Sequence, residues 1–267
     1  MNQTLPVQTT NARIWDATNY TKKHSFVASY GLSLIELLAP ENGEKILDLG
    51  CGTGELTFEI HQKGAEVTGI DSSETMLKNA QERFPGISFH AISAEEYRNE
   101  GFYDAIFSNA ALHWILNQEI ALQRCFNNLK PGGRLVLEMG GKNNIAGILN
   151  ALLETLKEEG YQDQTKREQW YFPSPAAYTS LLESCGFEVN ALWYYDRPTP
   201  LLDPVTGVQD WLMMFGKTYL DGVDNALRIV QKAQERIRDT HFDGNKWIAD
   251  YKRLRVAATK PLNYNTK

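Results

Sequence analysis

Apolar and polar residues alternate along the first half of the chain in the manner of short buried strands separated by amphipathic helices. The run HSFVASYGLSLIELLAP has apolar side chains at helical spacing from Phe26 to Leu38, and it predicts a helix that ends before Gly43. The apolar run KILDL predicts a strand. The alternation continues to Gly140, with helices predicted in TGELTFEIHQKG, SSETMLKNAQERF and NQEIALQRCFNNLKPGG and strands in EVTGID, ISFHAI, YDAIFSNA and RLVLEMG.

Beyond Gly140 the pattern is less regular. Helices are predicted in NIAGILNALLETLKEEG and SPAAYTSLLESCG, and strands in FEVNALWYY and DYKRLRVAATK. The prolines of RPTPLLDPVTG predict a loop, and two helices, VQDWLMMFGKTYL and NALRIVQKAQERIRDT, follow it. Strands that alternate with helices indicate right-handed βαβ units. The expected fold is therefore α/β, with a doubly wound, mostly parallel sheet and a helical cap insertion at residues 203–243, before the last strand.

Composition narrows the classes of function. The 267 residues have a net charge of -6 and no run of lysine or arginine, so a nucleic-acid surface is not expected. No apolar stretch reaches the ~20 residues of a membrane span, and the first residues lack the apolar core of a signal peptide. The three cysteines and five histidines are scattered, which predicts neither a disulfide framework nor a metal site. These features favour a cytoplasmic protein with no obligate protein partner.

The stretch KILDLGCGTGELT holds the strongest chemical signal. Gly50, Gly52 and Gly54 follow a predicted strand and precede a predicted helix. Such a loop is either a tight turn or a cradle in which backbone N–H groups approach a nucleotide-like ligand without an intervening Cβ. The spacing is G-x-G-x-G, whereas the dinucleotide fingerprint is G-x-G-x-x-G.

Two aspartates bear on the identity of the cofactor. Asp48 stands at the entrance of the loop, where a carboxylate would repel a pyrophosphate but attract the ammonium of S-adenosylmethionine (AdoMet). Asp71 ends the next strand, 21 residues after Gly50, where it suits a ribose diol. NAD and AdoMet both carry a ribose, so Asp71 does not distinguish them. The loop spacing and Asp48 favour AdoMet, and an NAD-dependent oxidoreductase is the alternative from another class.

Five segments in order resemble the successive motifs of class I AdoMet-dependent methyltransferases: ILDLGCGTGELT, GIDSSETML, ISAEEY, YDAIFSNAALHW and LKPGGRLVLEM. Within that superfamily, SNAALHW and VQDWLMMFG are most similar to the trans-aconitate methyltransferase group. The resemblance implies a seven-stranded Rossmann-like sheet whose last strand is antiparallel. It divides the chain, a single domain over residues 1–267, into an N-terminal helical cover (12–40), an AdoMet-binding core (41–140) and the cap.

The resemblance also implies a set of cofactor contacts. The glycine loop would line the methionine tail, the second strand's end would bind the ribose, and the ends of the third and fourth strands would meet the adenine and the sulfonium. The implied residues are Asp48, Gly50, Cys51, Gly52, Gly54, Asp71, Ser72, Met76, Ser93, Ala94, Glu95, Asn109 and Ala110. Many relatives have Asp where this chain has Ser93, which weakens the expected adenine recognition there.

The sequence indicates the molecule that accepts the methyl group less clearly than it indicates the cofactor. Methyl transfer from a sulfonium is an in-line displacement, and an ionised carboxylate would need no general base. O-methylation of a small carboxylic acid is therefore the leading hypothesis, and C-methylation of a quinone or lipid precursor, which needs a base, is the alternative. His113, four residues after Asn109, is the candidate catalytic residue. It would act as a base or an orienting donor, unless it only packs the pocket rim with Trp114.

Four further side chains are candidates for the acceptor pocket besides Trp114. Tyr20 and His24 belong to a segment that covers the cofactor in relatives, although Tyr20 could simply anchor the first helix. Arg197 could pair with an acidic substrate, or it could bond Asp196, Asp203 or solvent. Trp211 lies on a predicted cap helix, where an apolar stripe is more often packing than pocket.

Overall fold

The computed structural model describes residues 26–263, with side chains from residue 31 onward, and contains one sheet with strand order β3-β2-β1-β4-β5-β7-β6. All neighbouring strands are parallel except β7, which is antiparallel to both β5 and β6. The strands are β1 Lys45–Leu49, β2 Glu66–Asp71, β3 Ser88–Ala91, β4 Tyr103–Asn109, β5 Leu129–Gly140, β6 Glu188–Pro200 and β7 Ile248–Thr259. This seven-stranded, mostly parallel sheet confirms the predicted fold class.

Ten α-helices are defined within the described residues, and two short 3₁₀ turns, Leu112–Trp114 and Gln164–Lys166, accompany them. The helices are α1 Phe26–Leu38, α2 Glu55–Gln62, α3 Glu74–Arg83, α4 Gln118–Asn128, α5 Ala146–Glu158, α6 Pro175–Ser184, α7 Gly207–Phe215, α8 Lys217–Leu220, α9 Ala226–Arg236 and α10 Arg238–His241.

Helices cover both faces of the sheet because its strands bury side chains on both sides. On one face, Leu34 and Leu38 of α1 pack against Ile46, Phe107 and Val136 of the central strands. On the other face, α4 and α6 pack against the alternate residues of β1, β4 and β5. The chain leaves β3 at one edge and re-enters at β4 beside β1. This reversal opens a crevice at the carboxyl ends of β1 and β4, where doubly wound proteins bind ligands.

The helices between β6 and β7 form a second apolar core with α5 and the start of β7. Leu152 of α5, Trp211 of α7, Val230 of α9 and Trp247 belong to that core. Each of the two helices predicted here is divided. The first break is at Gly216, where an added Cβ would lie 2.7 Å from the carbonyl oxygen of Leu212.

The proline-rich loop prediction is wrong at its start. The segment from Arg197 to Pro200 continues β6, and Pro198 and Pro200 lie opposite Asp250 and Ile248 of β7. Strand β6 is the edge of the sheet, so a proline can sit there with its missing N–H on the unpaired side. Helix α4 is shorter than the predicted segment NQEIALQRCFNNLKPGG, because it ends at Asn128 and β5 begins at Leu129.

Within residues 26–263 no helix is both long and apolar enough to cross a membrane.

Burial in the second core predicts a contrast between two leucines. Leu152→Ala should lower the free energy of unfolding by about 2–5 kcal/mol, because Leu152 is fully buried and the cavity would remain. Leu227→Ala on α9 should change it by less than about 0.5 kcal/mol, because Leu227 is 54% exposed. Urea denaturation of both variants measures the difference. Equal losses would contradict the placement of this core.

Candidate active site

The glycine loop between β1 and α2 adopts a conformation that requires its glycines. Gly50, Gly52 and Gly54 have φ angles of 74°, 56° and 82°, a region that other residues rarely adopt. The N–H groups of Gly50 and Cys51 both donate to the carbonyl of Ile70, at 2.8 and 3.0 Å. The loop is thereby held against the end of β2, at the crevice where β1 and β4 meet.

Gly50 also brings two loops together. A Cβ built on Gly50 would overlap the Cβ of Ala111, which follows the end of β4. Ala110 itself has a φ of 56°, and its N–H donates to the carbonyl of Glu138 at 2.8 Å. Strained backbone of this kind persists where the surroundings hold it, and it is common at functional sites. The loops after β1 and β4, including the predicted residues Asn109 and Ala110, therefore form one surface.

Asp71 ties the glycine loop to the next helix. Its Oδ2 accepts from the N–H of Gly52 at 3.0 Å, and its Oδ1 accepts from the N–H of Ser73 at 2.8 Å. Burial raises the pKa of Asp71, and the hydrogen bonds from Ser73, Gly52 and Ser72 oppose that rise. Each carboxylate oxygen can accept a further hydrogen bond, so the group can still receive the hydroxyls of a diol.

Asp48 is buried beneath the loop. Its Oδ2 accepts from the hydroxyl of Thr57 on α2 at 2.6 Å, and only 2% of the residue is exposed. Burial raises the pKa of Asp48 to about 7, the hydrogen bond from Thr57 lowers it, and the charge of Asp71 adds to the rise. Sequence reasoning missed Thr57, whose signal is a hydroxyl on the inward side of an otherwise apolar helix face.

The predicted adenosine contacts lie at the ends of β2 and β3. The sulfur of Met76 is 3.5 Å from the position of a Cβ on Gly52, so α3 packs directly against the loop. Ser93 donates its hydroxyl to Glu96 at 2.9 Å, and Ala94 beside it is buried. Glu95 is partly exposed, and partial burial, followed by the charge of Glu96, raises its pKa.

The thiol of Cys51, within the loop, does not suit nucleophilic chemistry. Burial and then the charges of Asp48 and Asp71 raise its pKa well above the ordinary value. A thiol in these surroundings stays protonated and acts as a small packing residue.

His113 lies in the 3₁₀ turn after β4 and is buried, with 7% exposed. Its Nδ1 lies 3.4 Å from the N–H of Gly140, the last residue of β5, and its carbonyl accepts from the N–H of Tyr171 at 2.9 Å. With Nδ1 as the acceptor, a neutral ring carries its proton on Nε2. His113 is thus fixed between the ends of β4 and β5 instead of standing at an open rim.

An aromatic wall extends from His113 to the helices between β6 and β7. Its six members are Trp114, Trp170, Phe172, Trp211, Phe215 and Tyr251, with neighbouring ring centroids 5.0–6.4 Å apart. Of the two predicted members, Trp114 packs on Trp170 and Phe215. Trp211 is 4% exposed and donates its Nε1–H to the hydroxyl of Tyr251 at 2.6 Å. Trp170 and Phe172 were missed, although the aromatic run QWYF marks them.

Arg197 pairs with a carboxylate that the sequence did not single out, and not with Asp196. Arg197 forms a two-pronged ion pair with Glu138 of β5, and Asp196 pairs instead with Lys252, at 2.6 Å. Sequence reasoning missed Glu138 because the pairing spans β5, β7 and β6. Its signal was a lone carboxylate in the apolar strand RLVLEMG.

Glu138 is buried and saturated with donors. Its Oε2 accepts from the Tyr195 hydroxyl at 2.6 Å, from Arg197 at 2.9 Å and from Arg255 at 2.8 Å. Burial alone would raise the pKa of Glu138, but the hydrogen bonds from Arg197 and Tyr195 and the charges of Arg197 and Arg255 outweigh it and hold the pKa below its ordinary value. Glu138 is therefore ionised, and it lies opposite Asn109 in the neighbouring strand.

Two predicted pocket residues, Tyr20 and His24, lie outside the described residues, as does the first part of the predicted N-terminal cover. In the part of the chain that is described, no three histidine, cysteine, aspartate or glutamate side chains are grouped as metal ligands would be.

Sequence comparison gives a family match. A model of the family described as "Methyltransferase domain" matches residues 40–183. An uncharacterised methyltransferase of Schizosaccharomyces pombe is 31% identical over 261 residues, which cover 92% of this chain and 98% of that protein. A trans-aconitate 2-methyltransferase of Escherichia coli is 32% identical over 200 residues, which cover 70% of this chain and 77% of the relative.

The fold is also similar to that of a solved structure. Phosphoethanolamine N-methyltransferase 2 of Haemonchus contortus, in complex with S-adenosyl-L-methionine, aligns with a TM-score of 0.55 and 19% identity. The alignment covers 93% of this chain and 60% of that one. At this identity the likeness shows a shared fold.

Loop geometry predicts unequal costs for two glycine substitutions. Gly50→Ala and Gly43→Ala both place a side chain at positive φ, which costs about 1–2 kcal/mol, but a Cβ on Gly43 meets nothing within 4 Å. Gly50→Ala should therefore lower the free energy of unfolding by clearly more than Gly43→Ala. Chemical denaturation of the two variants measures both free energies of unfolding. A larger loss of free energy for Gly43→Ala would contradict the close approach of Gly50 to Ala111.

The buried carboxyl of Asp48 predicts a pH dependence. Since its pKa is raised to about 7 in the folded protein, against about 3.9 in an unfolded chain, the folded state binds more protons between those values. The free energy of unfolding should therefore fall as pH rises from 4 to 7, through this group by a few kcal/mol (order of magnitude). In Asp48→Asn that part of the slope should vanish. Denaturation at pH 5 and pH 8 tests it, and identical slopes would refute the assignment.

Proposed function

Because this chain belongs to the methyltransferase domain family, matched over residues 40–183, we propose that it methylates a carboxylate oxygen of a small organic acid. The chain is an AdoMet-dependent methyltransferase, so the proposal concerns the acceptor and the roles of individual residues. The observation that carries it is the charge beside the end of β4, where the guanidinium groups of Arg197, Arg253 and Arg255 surround the single carboxylate of Glu138.

The residues at the crevice fit AdoMet. The glycine loop offers backbone without side chains, and Asp71 retains lone pairs for a ribose diol. Asp48 lies at the loop's base, where its carboxylate favours the cofactor's ammonium, directly or through water. Met76, Ala94 and Glu95 would border the adenosine. AdoMet supplies an electrophilic methyl group when it is bound.

The acceptor side is suited to an anion. A carboxylic acid has a pKa near 4, so its oxygen is a ready nucleophile at neutral pH and no residue has to remove a proton. Three guanidinium groups against one carboxylate leave a net positive charge, which attracts an anionic acceptor into a site of low dielectric. The chain's task is then to align the acceptor and exclude water.

His113 is best suited to orient the acceptor. Because its Nδ1 faces the N–H of Gly140, the donor of a neutral His113 ring is Nε2–H. A donor to one acceptor oxygen would aim the other at the methyl group. C-methylation would instead require His113 to accept a proton through Nε2, which this arrangement disfavours. The helices of residues 203–243 would cap the site by contributing Trp211 and Phe215 to the aromatic wall.

The known relatives support the same acceptor class. The Escherichia coli relative is named for trans-aconitate, a carboxylic acid, and the match extends over 70% of this chain. The positive charge of the arginines near Glu138 has the sign that such an anionic acceptor requires.

A mass-spectrometric screen of carboxylic acids, phenols and amines with AdoMet tests the acceptor. At least one carboxylic acid should gain about 14 daltons, the mass that a methyl group adds in place of a proton or counter-ion. Methylation confined to phenols or amines would overturn the proposal.

Two variants test the cofactor residues. Asp71→Ala should weaken AdoMet binding at least about tenfold, because a pair of hydrogen bonds to an ionised group is lost. Ser93→Ala is the control, and it should change the affinity less than about threefold, since the Ser93 hydroxyl is engaged with Glu96. Calorimetric titration measures both. Full-strength binding by Asp71→Ala would contradict its role.

A further inference from the structure

We infer that Arg253 binds a second, unreacting carboxylate of the acceptor, so that the preferred acceptor is an acid with two or more carboxylates. This inference rests on the proposed function and deepens it, because it assigns the acceptor's recognition to one residue. It starts from a buried guanidinium whose Nε has no hydrogen-bond partner among the described residues.

Arg253 is 7% exposed, and its Nε is fully buried without a hydrogen-bond partner. Its guanidinium carbon lies 4.3 Å from the ring centroid of Tyr251. The charge of Glu138 also acts on Arg253, but no ion pair within 4.0 Å joins Arg253 to a carboxylate of residues 26–263. An unpaired buried charge is expensive, and native proteins nearly always pair one. A guanidinium held in this state is suited to receive an anionic ligand, for which its fork of donors matches a carboxylate.

The neighbouring carboxylates are already engaged. Glu138 accepts from Tyr195, Arg197 and Arg255. Asp196 pairs with Lys252 at 2.6 Å.

Asp250, three positions before Arg253, accepts at Oδ2 from the N–H of Gly147 at 2.7 Å, and its Oδ1 lies 3.4 Å from Nε2 of His241. None of these described carboxylates forms a direct ion pair with Arg253. The charge on this face is positive even after Glu138 is counted.

Arg253 also lies on the acceptor side of the crevice. It is opposite Gly140 in the β5–β7 pairing, and Gly140 is the residue whose N–H faces His113. Asn109, at the end of β4, is opposite Glu138. The backbone of Arg253 is thus about 10 Å from that of Asn109 across two strand spacings, and it is displaced along the strands by the two residues between Glu138 and Gly140. That separation, shortened by the arginine side chain, suits a small acid with carboxylates at both ends.

The position also separates Arg253 from the cofactor's own carboxylate. The glycine loop follows β1, which lies on the far side of β4 from β5 and β7. Gly140, directly opposite Arg253, lacks a side chain, and a Cβ there would lie 2.8 Å from Asn144 and against Phe172. Arg253 therefore borders the aromatic wall, where an acceptor rather than the methionine tail would lie.

Arg253→Met tests the inference, with Lys252→Met as the matched control. Lys252 is the adjacent cation, and its partner is the exposed side chain of Asp196. The acceptors are trans-aconitate, citrate and fumarate, compared with crotonate, in which a methyl group replaces one carboxylate of fumarate. Arg253→Met should raise KM for the polycarboxylates at least about tenfold, leave KM for crotonate within about twofold, and leave the affinity for AdoMet unchanged. Arg253→Lys should recover part of the loss.

A structural role predicts a different pattern. Removal of an unpaired buried charge should leave Tm unchanged or raise it, whereas loss of a structural interaction would lower it. A lower Tm with equal losses for crotonate and fumarate would overturn the inference. So would weaker AdoMet binding, which would place Arg253 at the cofactor, or an unchanged KM for every polycarboxylate.

A binding measurement separates this inference from the proposed function. If the unaltered protein forms no methyl ester, the proposed function fails. The role of Arg253 can then still be tested by measuring the change in Tm when S-adenosylhomocysteine is added together with citrate or trans-aconitate. A rise in Tm for the unaltered protein and Lys252→Met but not for Arg253→Met supports it, and equal shifts, or none in any of the three, contradict it.

Discussion

The close approach of the loops after β1 and β4 is the constraint on which the site depends. Gly50 can meet Ala111 only because it has no Cβ, and its positive φ turns the chain back toward β2. Asp71 then fixes the loop through the N–H of Gly52 while it also holds the start of α3. The crevice depends on this junction, and so do the proposed cofactor and acceptor sites, because each is built on the end of a strand beside it.

Local signals in the sequence predict this half of the molecule well. The glycine spacing and the carboxylate at the end of β2 are encoded within a few residues of where they act. So is the cap of α3, where the side chain of Ser73 accepts from the N–H of Met76. The alternation of strands and helices is also a local pattern, and it predicts the mostly parallel sheet. The family match then excludes the dinucleotide alternative for the loop.

Long-range pairing explains what the sequence leaves out. The continuation of β6 through Pro200 depends on its being an edge strand, which no local pattern specifies. The partner of Arg197 is 59 residues away and is reached only through the register of three strands. The unpartnered Nε of Arg253 likewise becomes visible only when the contacts of the neighbouring strands are known.

Electrostatics then divides the site into two halves with different tasks. Aspartates on the β1–β2 side suit a cofactor with a positive charge, and arginines on the β5–β7 side suit an anionic acceptor. The most direct test of this division is the chemical nature of the methylated product. We predict a methyl ester, which mild alkali hydrolyses to release methanol and the original acid. A methyl group that withstands alkali would contradict carboxylate methylation.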